Sequence, residues 1–362
     1  MSLIAIADKL SAGEPLSLAD GLALFETPDL IELGRLANQV RERLHGPRTY
    51  FNRNLHINPT NVCVAACKLC AFSRRSERSE GAYVLGVDEA VAKLRARLAA
   101  DPGLGEVHLV GGLHDGLPFD YFTGFLSALK QVAPGIRIKA FSAVEIFFFH
   151  RRYGMSIEAI LRRLKAVGLD FLPGGGAEIF SARVRQAICP NKCDADQWLE
   201  VHRTAHRLGI NSNCTMLFGT VETIEERVQH LLRLRALQAE TKGLLAFIPL
   251  PFHPENNALA GTHAPTAAES LRVCAASRLM LDNVPHIKAY WVGLGLATAQ
   301  MALWFGADDF DGTVTDEKIY HEAGSQAPRA LAPDEIARIV RAAGRLPVER
   351  DTLYGAAEAG QV

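Results

Sequence analysis

Leu55-His56-Ile57-Asn58-Pro59-Thr60-Asn61-Val62-Cys63-Val64-Ala65-Ala66-Cys67-Lys68-Leu69-Cys70-Ala71-Phe72 is where the chain changes character. Residues 1–50, before it, carry helical spacing. Ser17 precedes one apolar-periodic stretch (Leu22, Leu24, Phe25), and Thr27 precedes another (Ile31, Leu33, Leu36, Ala37, Val40). From residue 54 onward, short apolar runs alternate with longer amphipathic ones. LHINPT (55–60) reads as the first strand. Its C-terminal end runs directly into three cysteines within eight residues.

Seven more strand-like runs follow: EVHLVG (106–111), RIKAFSA (137–143), DFLPGG (170–175), NSNCTMLFG (211–219), LLAFIPL (244–250), HIKAYWV (286–292) and DDFDG (308–312). Amphipathic helices are expected between most of them, at 87–100, 156–168 and 223–238 among others. Such alternation argues for a parallel sheet with crossover helices. Eight repeats predict a closed (β/α)8 TIM-type barrel over 51–313, with a partly open barrel of six units as the alternative. Residues 1–50 are expected to form an N-terminal helical extension. Residues 314–362 are expected to form a C-terminal helical cap, punctuated by Pro328, Pro333 and Pro347. No linker or second domain is expected. Cysteine and glycine signals fall at strand C-termini, the face where such barrels carry their sites.

The chain has 362 residues, 48% of them hydrophobic and 22% charged, which suits one elaborated barrel of roughly 250 residues plus additions. Its 39 basic and 40 acidic residues give a net charge of -1, which favours neither nucleic acid nor an anionic membrane as partner. The N-terminal stretch is acidic and irregular, unlike a secretory signal, and no apolar run approaches the roughly 18 residues of a membrane span. A cytoplasmic location is expected. Seven cysteines in such a chain point to metal binding or catalysis more than to disulfides.

Cys63, Cys67 and Cys70 are separated by three and then two residues. One compact loop can aim three thiolates at a single cluster. An iron–sulfur cube has four irons, so three ligands leave one iron open to a small molecule. The alternative is a zinc site, which needs four closed ligands. No second cysteine pair lies nearby, although His56 could complete one.

The motif, with Phe72 two positions after the last cysteine, resembles the loop of the radical S-adenosylmethionine (SAM) superfamily. That resemblance implies a 4Fe-4S cluster on Cys63, Cys67 and Cys70. It also implies SAM on the open iron, cleaved by one electron to methionine and a 5′-deoxyadenosyl radical. Gly111 and Gly112 would then border the SAM amino group. Glu178, after Gly174-Gly175-Gly176, would take the ribose hydroxyls. Arg185, in preference to Arg183, would take the SAM carboxylate. Gly219 would face the base, and Ser142 and Glu145 are further candidates to contact SAM or substrate. The bland readings stand beside these: glycine pairs make turns, Glu178 can serve a helix dipole, and Glu222 with Thr223 can cap a helix.

HINPTNVC, CAFSR, GGGAEIFSARVRQAICPNK, SNCTMLFGTVET and FIPLPFHPENN resemble the aminofutalosine synthase family of the futalosine route to menaquinone. The likeness runs from about residue 50 to DTLYG at 351–355. It implies a transferase in which the adenosyl radical adds to the enol ether of 3-[(1-carboxyvinyl)oxy]benzoate. Rearrangement and decarboxylation then give 6-amino-6-deoxyfutalosine. A flavodoxin or ferredoxin would supply the electron. Cys214 departs from the small residue expected there, but a buried cysteine is a small hydrophobe. Sister enzymes (cyclic dehypoxanthine futalosine synthase, the deazaflavin cofactor synthase subunits) are the alternatives, and a non-catalytic Fe-S protein is a third.

This chemistry needs donors for two carboxylates in a dry pocket. His114, His253 and Asn256 are the catalytic candidates, with Asn257 beside them. A lone histidine is nevertheless more often a loop or core residue. Tyr290, Trp291, Asp309 and Asp311 are expected near the barrel mouth. Phe147, Phe148 and Phe149 read as packing, and Cys189, Cys193, Cys214 and Cys274 as structural thiols.

Overall fold

The computed structural model describes residues 2–259 and 262–355. Nine strands are assigned among the described residues: β1 (Arg48–Asn52), β2 (Asn54–Ile57), β3 (Glu106–Leu109), β4 (Arg137–Ala140), β5 (Ser212–Phe218), β6 (Leu244–Pro251), β7 (His286–Ile287), β8 (Asp309–Gly312) and β9 (Leu346–Glu349). All pairings between them are parallel: β2-β3-β4, β5-β6-β7 and β8-β1-β9.

Single parallel bridges join these three sheets into a ring. Lys139 pairs with Phe171, Leu172 with Ser212, Lys288 with Asp309, and Leu55 with Thr315. The ring therefore runs β2, β3, β4, the 171–172 segment, β5, β6, β7, β8 and back to β2, the eight-position α/β barrel expected. Its fourth position is only two residues of bridge, because Pro173 and three glycines follow at once. The expected seventh strand, 286–292, is much shorter. Residues Trp291–Leu294 instead turn helical, and the buried Trp291 indole N–H donates to Gly312 O at 2.9 Å.

Strand β9 was not among the eight expected. It pairs with β1, whose Thr49 and Phe51 are buried, so the segment after 313 contributes a strand as well as the helix Pro333–Ala342. Helices Leu3–Ala12, Leu18–Glu26 and Leu30–His45 precede β1. Ser17 caps the second through a reciprocal box with Asp20. Asp29, not Thr27, caps the third, since the Asp29 carboxylate reaches the Glu32 N–H at 2.9 Å.

Alternation along the strands sorts the two faces. Val107, Leu109, Ile138 and Ala140 are fully buried and form the layer between barrel and helices. His108 and Lys139, their neighbours, face the barrel interior and line a cavity there. That polar inner row is what opens space inside the barrel, where branched apolar layers would otherwise fill it.

Candidate active site

The cavity has a volume of about 320 Å³ and opens at the C-terminal ends of the strands. Cys63, Cys67 and Cys70 all line it, with Cys63 and Cys70 half-buried and Cys67 buried. Their loop is held by backbone bonds on every side. Cys63 N–H donates to Arg74 O at 2.8 Å, Val64 N–H to Leu113 O at 2.9 Å, and Lys68 N–H to Ile188 O at 2.9 Å. Arg74 is the loop's clamp, a role the motif reading had missed. Its guanidinium donates to Ala71 O, Phe72 O, Ser73 O and Glu80 O. Asn61 adds bonds to Gly81 O and Tyr83 N–H, and Asn191 reaches Ala65 O at 3.1 Å.

The spacing of the sulfurs separates the two metal readings. A tetrahedral zinc with Zn–S bonds of ~2.3 Å brings its sulfurs to about 3.8 Å from one another. Among the described residues, only His45, His286 and Asp308 gather three ligand atoms within 4.8 Å. Cys63, Cys67 and Cys70 do not form such a group, so the loop does not gather their sulfurs at the spacing of a single ion. Burial pushes the Cys67 thiol up to about 12, despite the opposing charge of Lys192. A bound iron would offset that penalty by holding Cys67 as the thiolate.

Around the loop the cavity collects Phe72, Gly111, Gly112, Ser142, Glu145 and Glu178, all of them candidates from the sequence. Phe72 is buried and meets Tyr83 edge-on. The two glycines prove to serve protein packing directly. A Cβ on Gly112 would stand 2.1 Å from Val62 O, and one on Gly111 3.0 Å from Thr60 O. Glu145 ties two strand ends together. It accepts from Ser142 N–H and Oγ, both at 2.7 Å, and from Gly111 N–H at 3.0 Å. Burial nevertheless lifts its carboxyl to about 7.

Glu178 sits at φ 47, in the left-handed region. Asp311, which also lines the cavity, shares that conformation, as do Ala66 and Phe141, each next in sequence to a lining residue. Strain of this kind costs about 1–3 kcal/mol per residue and persists where surrounding structure imposes it. Glu178 forms an ion pair with Lys192, another cavity residue absent from the sequence candidates. Burial disfavours the Lys192 ammonium, but Cys67, Glu178 and Cys189 more than reverse this, so the lysine stays cationic.

Four candidates lie elsewhere. His114 does not line the cavity: its Nδ1 accepts from Gly116 N–H at 3.0 Å, and its Nε2 stands 3.0 Å from Glu77. Asn256 is exposed and donates to Glu322 O at 2.9 Å. The Arg185 guanidinium is turned onto the carbonyls of Gly176, Ala177 and Cys193, where it braces the glycine-rich turn. Gly219 takes φ 91 and packs under Pro265, and its N–H donates to Glu222 at 2.6 Å. Thr223 and Glu226 form the capping box there, so Glu222 closes its own loop. Of the catalytic candidates, His253 alone reaches the cavity, with its Nε2 donating to Gly293 O at 2.8 Å. Tyr290 and Asp311 also line it.

Sequence reasoning did not single out His108, Lys139, Asn213, Thr215 or Lys288, and weighed His56 only as a zinc ligand; all six line the deeper part. The signal was present as polar residues in the middle of otherwise apolar strands. Parallel barrel strands rarely carry these without a cavity to face.

The description "Radical SAM superfamily" matches residues 57–234, and "CofH/MqnC C-terminal region" matches 241–361. Aminodeoxyfutalosine synthase of Thermus thermophilus is 49% identical over 97% of this chain and 95% of its own length. The enzyme of that name from Streptomyces coelicolor is 44% identical over 96% and 92%. The 5-amino-6-(D-ribitylamino)uracil–L-tyrosine 4-hydroxyphenyl transferase of Methanopyrus kandleri is 40% identical over 90% and 89%. In fold, the chain resembles methylornithine synthase (PylB), with a TM-score of 0.76 at 19% identity over 95% of this chain and 97% of that one. With near-full-length relatives at this identity, and three spaced cysteines lining a barrel-mouth cavity, the chain belongs to the radical SAM superfamily, whose members bind a 4Fe-4S cluster and SAM.

Proposed function

We propose that the chain is an aminodeoxyfutalosine synthase. It joins the adenosyl group of SAM to 3-[(1-carboxyvinyl)oxy]benzoate and forms 6-amino-6-deoxyfutalosine, methionine and bicarbonate on the way to menaquinone. The observation that carries this reading is identity of 49% and 44% to two enzymes of that name over nearly the whole chain. The archaeal transferases, at 40% and below, represent the sister reading.

Cys63, Cys67 and Cys70 would hold the cluster, which when bound supplies the electron that cleaves SAM. The remaining work belongs to the chain. We assign Glu145 and Ser142, at a helix start, to the SAM ammonium group. We assign Glu178, fixed by Lys192, to the ribose hydroxyls. The apolar wall of Leu217, Ile248, Leu250 and Phe252 keeps water from the reacting carbon. His253, anchored on Gly293 O, presents its ring to the cavity.

A flavodoxin or ferredoxin is the proposed electron donor. The near-neutral charge supports a partner set without nucleic acid. No helix among the described residues is long and apolar enough to cross a membrane, and we place the chain in the cytoplasm.

The test is anaerobic incubation of reconstituted, reduced enzyme with SAM and the enol ether. A product retaining adenine, seen by mass, is expected. Formation of 5′-deoxyadenosine without an adduct overturns the assignment, and in a parallel incubation with L-tyrosine and 5-amino-6-(D-ribitylamino)uracil a tyrosine-derived adduct would favour the sister reading. Cys63→Ala, Cys67→Ala and Cys70→Ala should each abolish SAM cleavage with the barrel still folded.

A further inference from the structure

Below the strand ends the cavity has a polar floor. His56, His108 and Lys139 are register partners across β2, β3 and β4, and all three side chains line the cavity. Lys288 joins them from the residue that bridges to Asp309. Both ammonium groups are already paired: Lys139 Nζ lies 2.8 Å from Glu106 and Lys288 Nζ 2.9 Å from Asp311.

The imidazoles have no such partners. His56 is 7% exposed, and its Nε2 makes no hydrogen bond. His108 Nε2 is likewise buried and unbonded. The rings meet edge to face with centroids 4.6 Å apart. Burial holds both below their ordinary value, and the nearby carboxylates of Glu106, Asp311 and Glu317 do not overcome it. Each is thus a neutral ring with an N–H to give. Buried polar atoms almost always find partners, so two orphan nitrogens on rings that line one cavity point to a ligand.

We propose that His56 and His108, beside the ammonium groups of Lys139 and Lys288, receive the ring carboxylate of an aromatic acid substrate. This rests on the function proposed above and adds to it the anchor of one substrate end. Neutral imidazole N–H groups make charge-assisted bonds to a carboxylate. An ammonium has three donors, so each lysine can turn one toward the anion without leaving its own partner. Depth selects the ring carboxylate over the enol one. His108 and Lys139 lie within β3 and β4, whereas Gly111 and Ser142 follow the C-terminal ends of those strands. The carbon that accepts the adenosyl group must lie at the upper level, and the enol carboxylate is attached beside it. The ring carboxylate is the far end of the molecule.

The test uses calorimetry on reconstituted, SAM-loaded protein with two probes, 3-methoxybenzoate and 3-methoxybenzamide. Wild type should bind the acid at least about 10-fold more tightly than the amide, the usual scale of a charge-assisted bond. His56→Leu and His108→Leu should each cost the acid about 10-fold and leave the amide unchanged. The Gln variants, which keep a donor, should recover part of the loss. Equal binding of acid and amide by wild type overturns the inference without any variant. So does equal loss of both probes in the Leu variants. No turnover enters this test. If the acid depends on the histidines but no adenine-bearing adduct forms, the proposed reaction fails and the subsite stands. If the adduct forms and the probes bind alike, the subsite alone fails.

Discussion

Replacing Gly112 by alanine tests how the barrel holds its cysteine loop. A Cβ there would lie 2.1 Å from the Val62 carbonyl oxygen and 2.7 Å from the Val62 carbonyl carbon. An acceptable carbon–oxygen contact is about 3.3 Å, so the backbone must yield by about 1 Å. Neither side is soft. Gly112 N–H is bonded to Thr60 O at 2.7 Å, and Cys63, next after Val62, is bonded to Arg74 O at 2.8 Å. The displacement lands beside the first cluster ligand, where sites of this kind tolerate roughly 0.5 Å. Overpacking of this severity costs about 1–3 kcal/mol. Gly111→Ala meets Thr60 O at 3.0 Å and needs a shift of only a few tenths of an ångström. Gly124, in the helix Phe119–Val132, has nothing within 4 Å of its added carbon. Alanine there should stabilise by about 0.5–1 kcal/mol. Urea denaturation of the apo-chains should therefore rank Gly124→Ala above wild type, then Gly111→Ala, then Gly112→Ala. Iron and sulfide bound after anaerobic reconstitution should fall most in Gly112→Ala. Wild-type stability together with a full iron complement in that variant would refute the reasoning.

Three more outcomes follow from the charged groups. Asp308 receives Arg278 Nη2 at 2.7 Å, His286 Nδ1 at 2.6 Å and Ile287 N–H at 2.8 Å. Asp308→Asn leaves the fully buried Arg278 cation without its counter-charge, and urea denaturation should show a loss of about 3–5 kcal/mol. Burial alone would raise the Asp308 carboxyl, but His286, His45 and Arg278 hold it well below the usual range. Its contribution is thus present above about pH 4 and fades as pH falls further; an acid limb unchanged in Asp308→Asn would contradict this. Lys192→Met strands the Glu178 carboxylate and should cost about 3 kcal/mol, with part returned by adding Glu178→Gln; no recovery in the double variant would show that the pair is not the cause. Glu145, lifted to about 7 by burial, holds its proton more tightly in the folded chain than in the unfolded one. Its contribution to apo-chain stability declines as pH rises from about 4.5 to about 7. SAM binding should run the other way and weaken up to ~10-fold per pH unit below 7, as the carboxylate partner of the SAM ammonium is lost. A titration by calorimetry should show that slope in wild type and a flat profile in Glu145→Gln; identical profiles would count against Glu145 as the SAM contact.

The barrel was legible because its periodicities are local. A strand buried on both faces reads as a short apolar run, and a covering helix as an amphipathic stretch, wherever each sits in the chain. The misses have equally physical origins. Strand β9 is short and half-buried, and it exists because β1 has an open edge to offer. HIKAYWV has strand composition throughout, yet only His286–Ile287 form strand β7. The helical turn at Trp291 is set by an indole that finds Gly312 O across the barrel.

Within the site, residues tied to the cysteine loop and strand ends were identified from the sequence by number, because their spacing along the chain is their spacing in the loop. Cys63, Cys67, Cys70, Phe72, Glu145 and Glu178 are of this kind, and all line the cavity. Arg185 and Gly219 sit close to the right loops in sequence, but side-chain direction and backbone packing turn them to other tasks. What the sequence by itself determined is the barrel, the cluster motif and the family, since each is written in contiguous stretches. What only the tertiary structure decided is the floor. His56, His108 and Lys139 lie 52 and 31 residues apart in sequence and become neighbours through strand register alone, which no local pattern encodes.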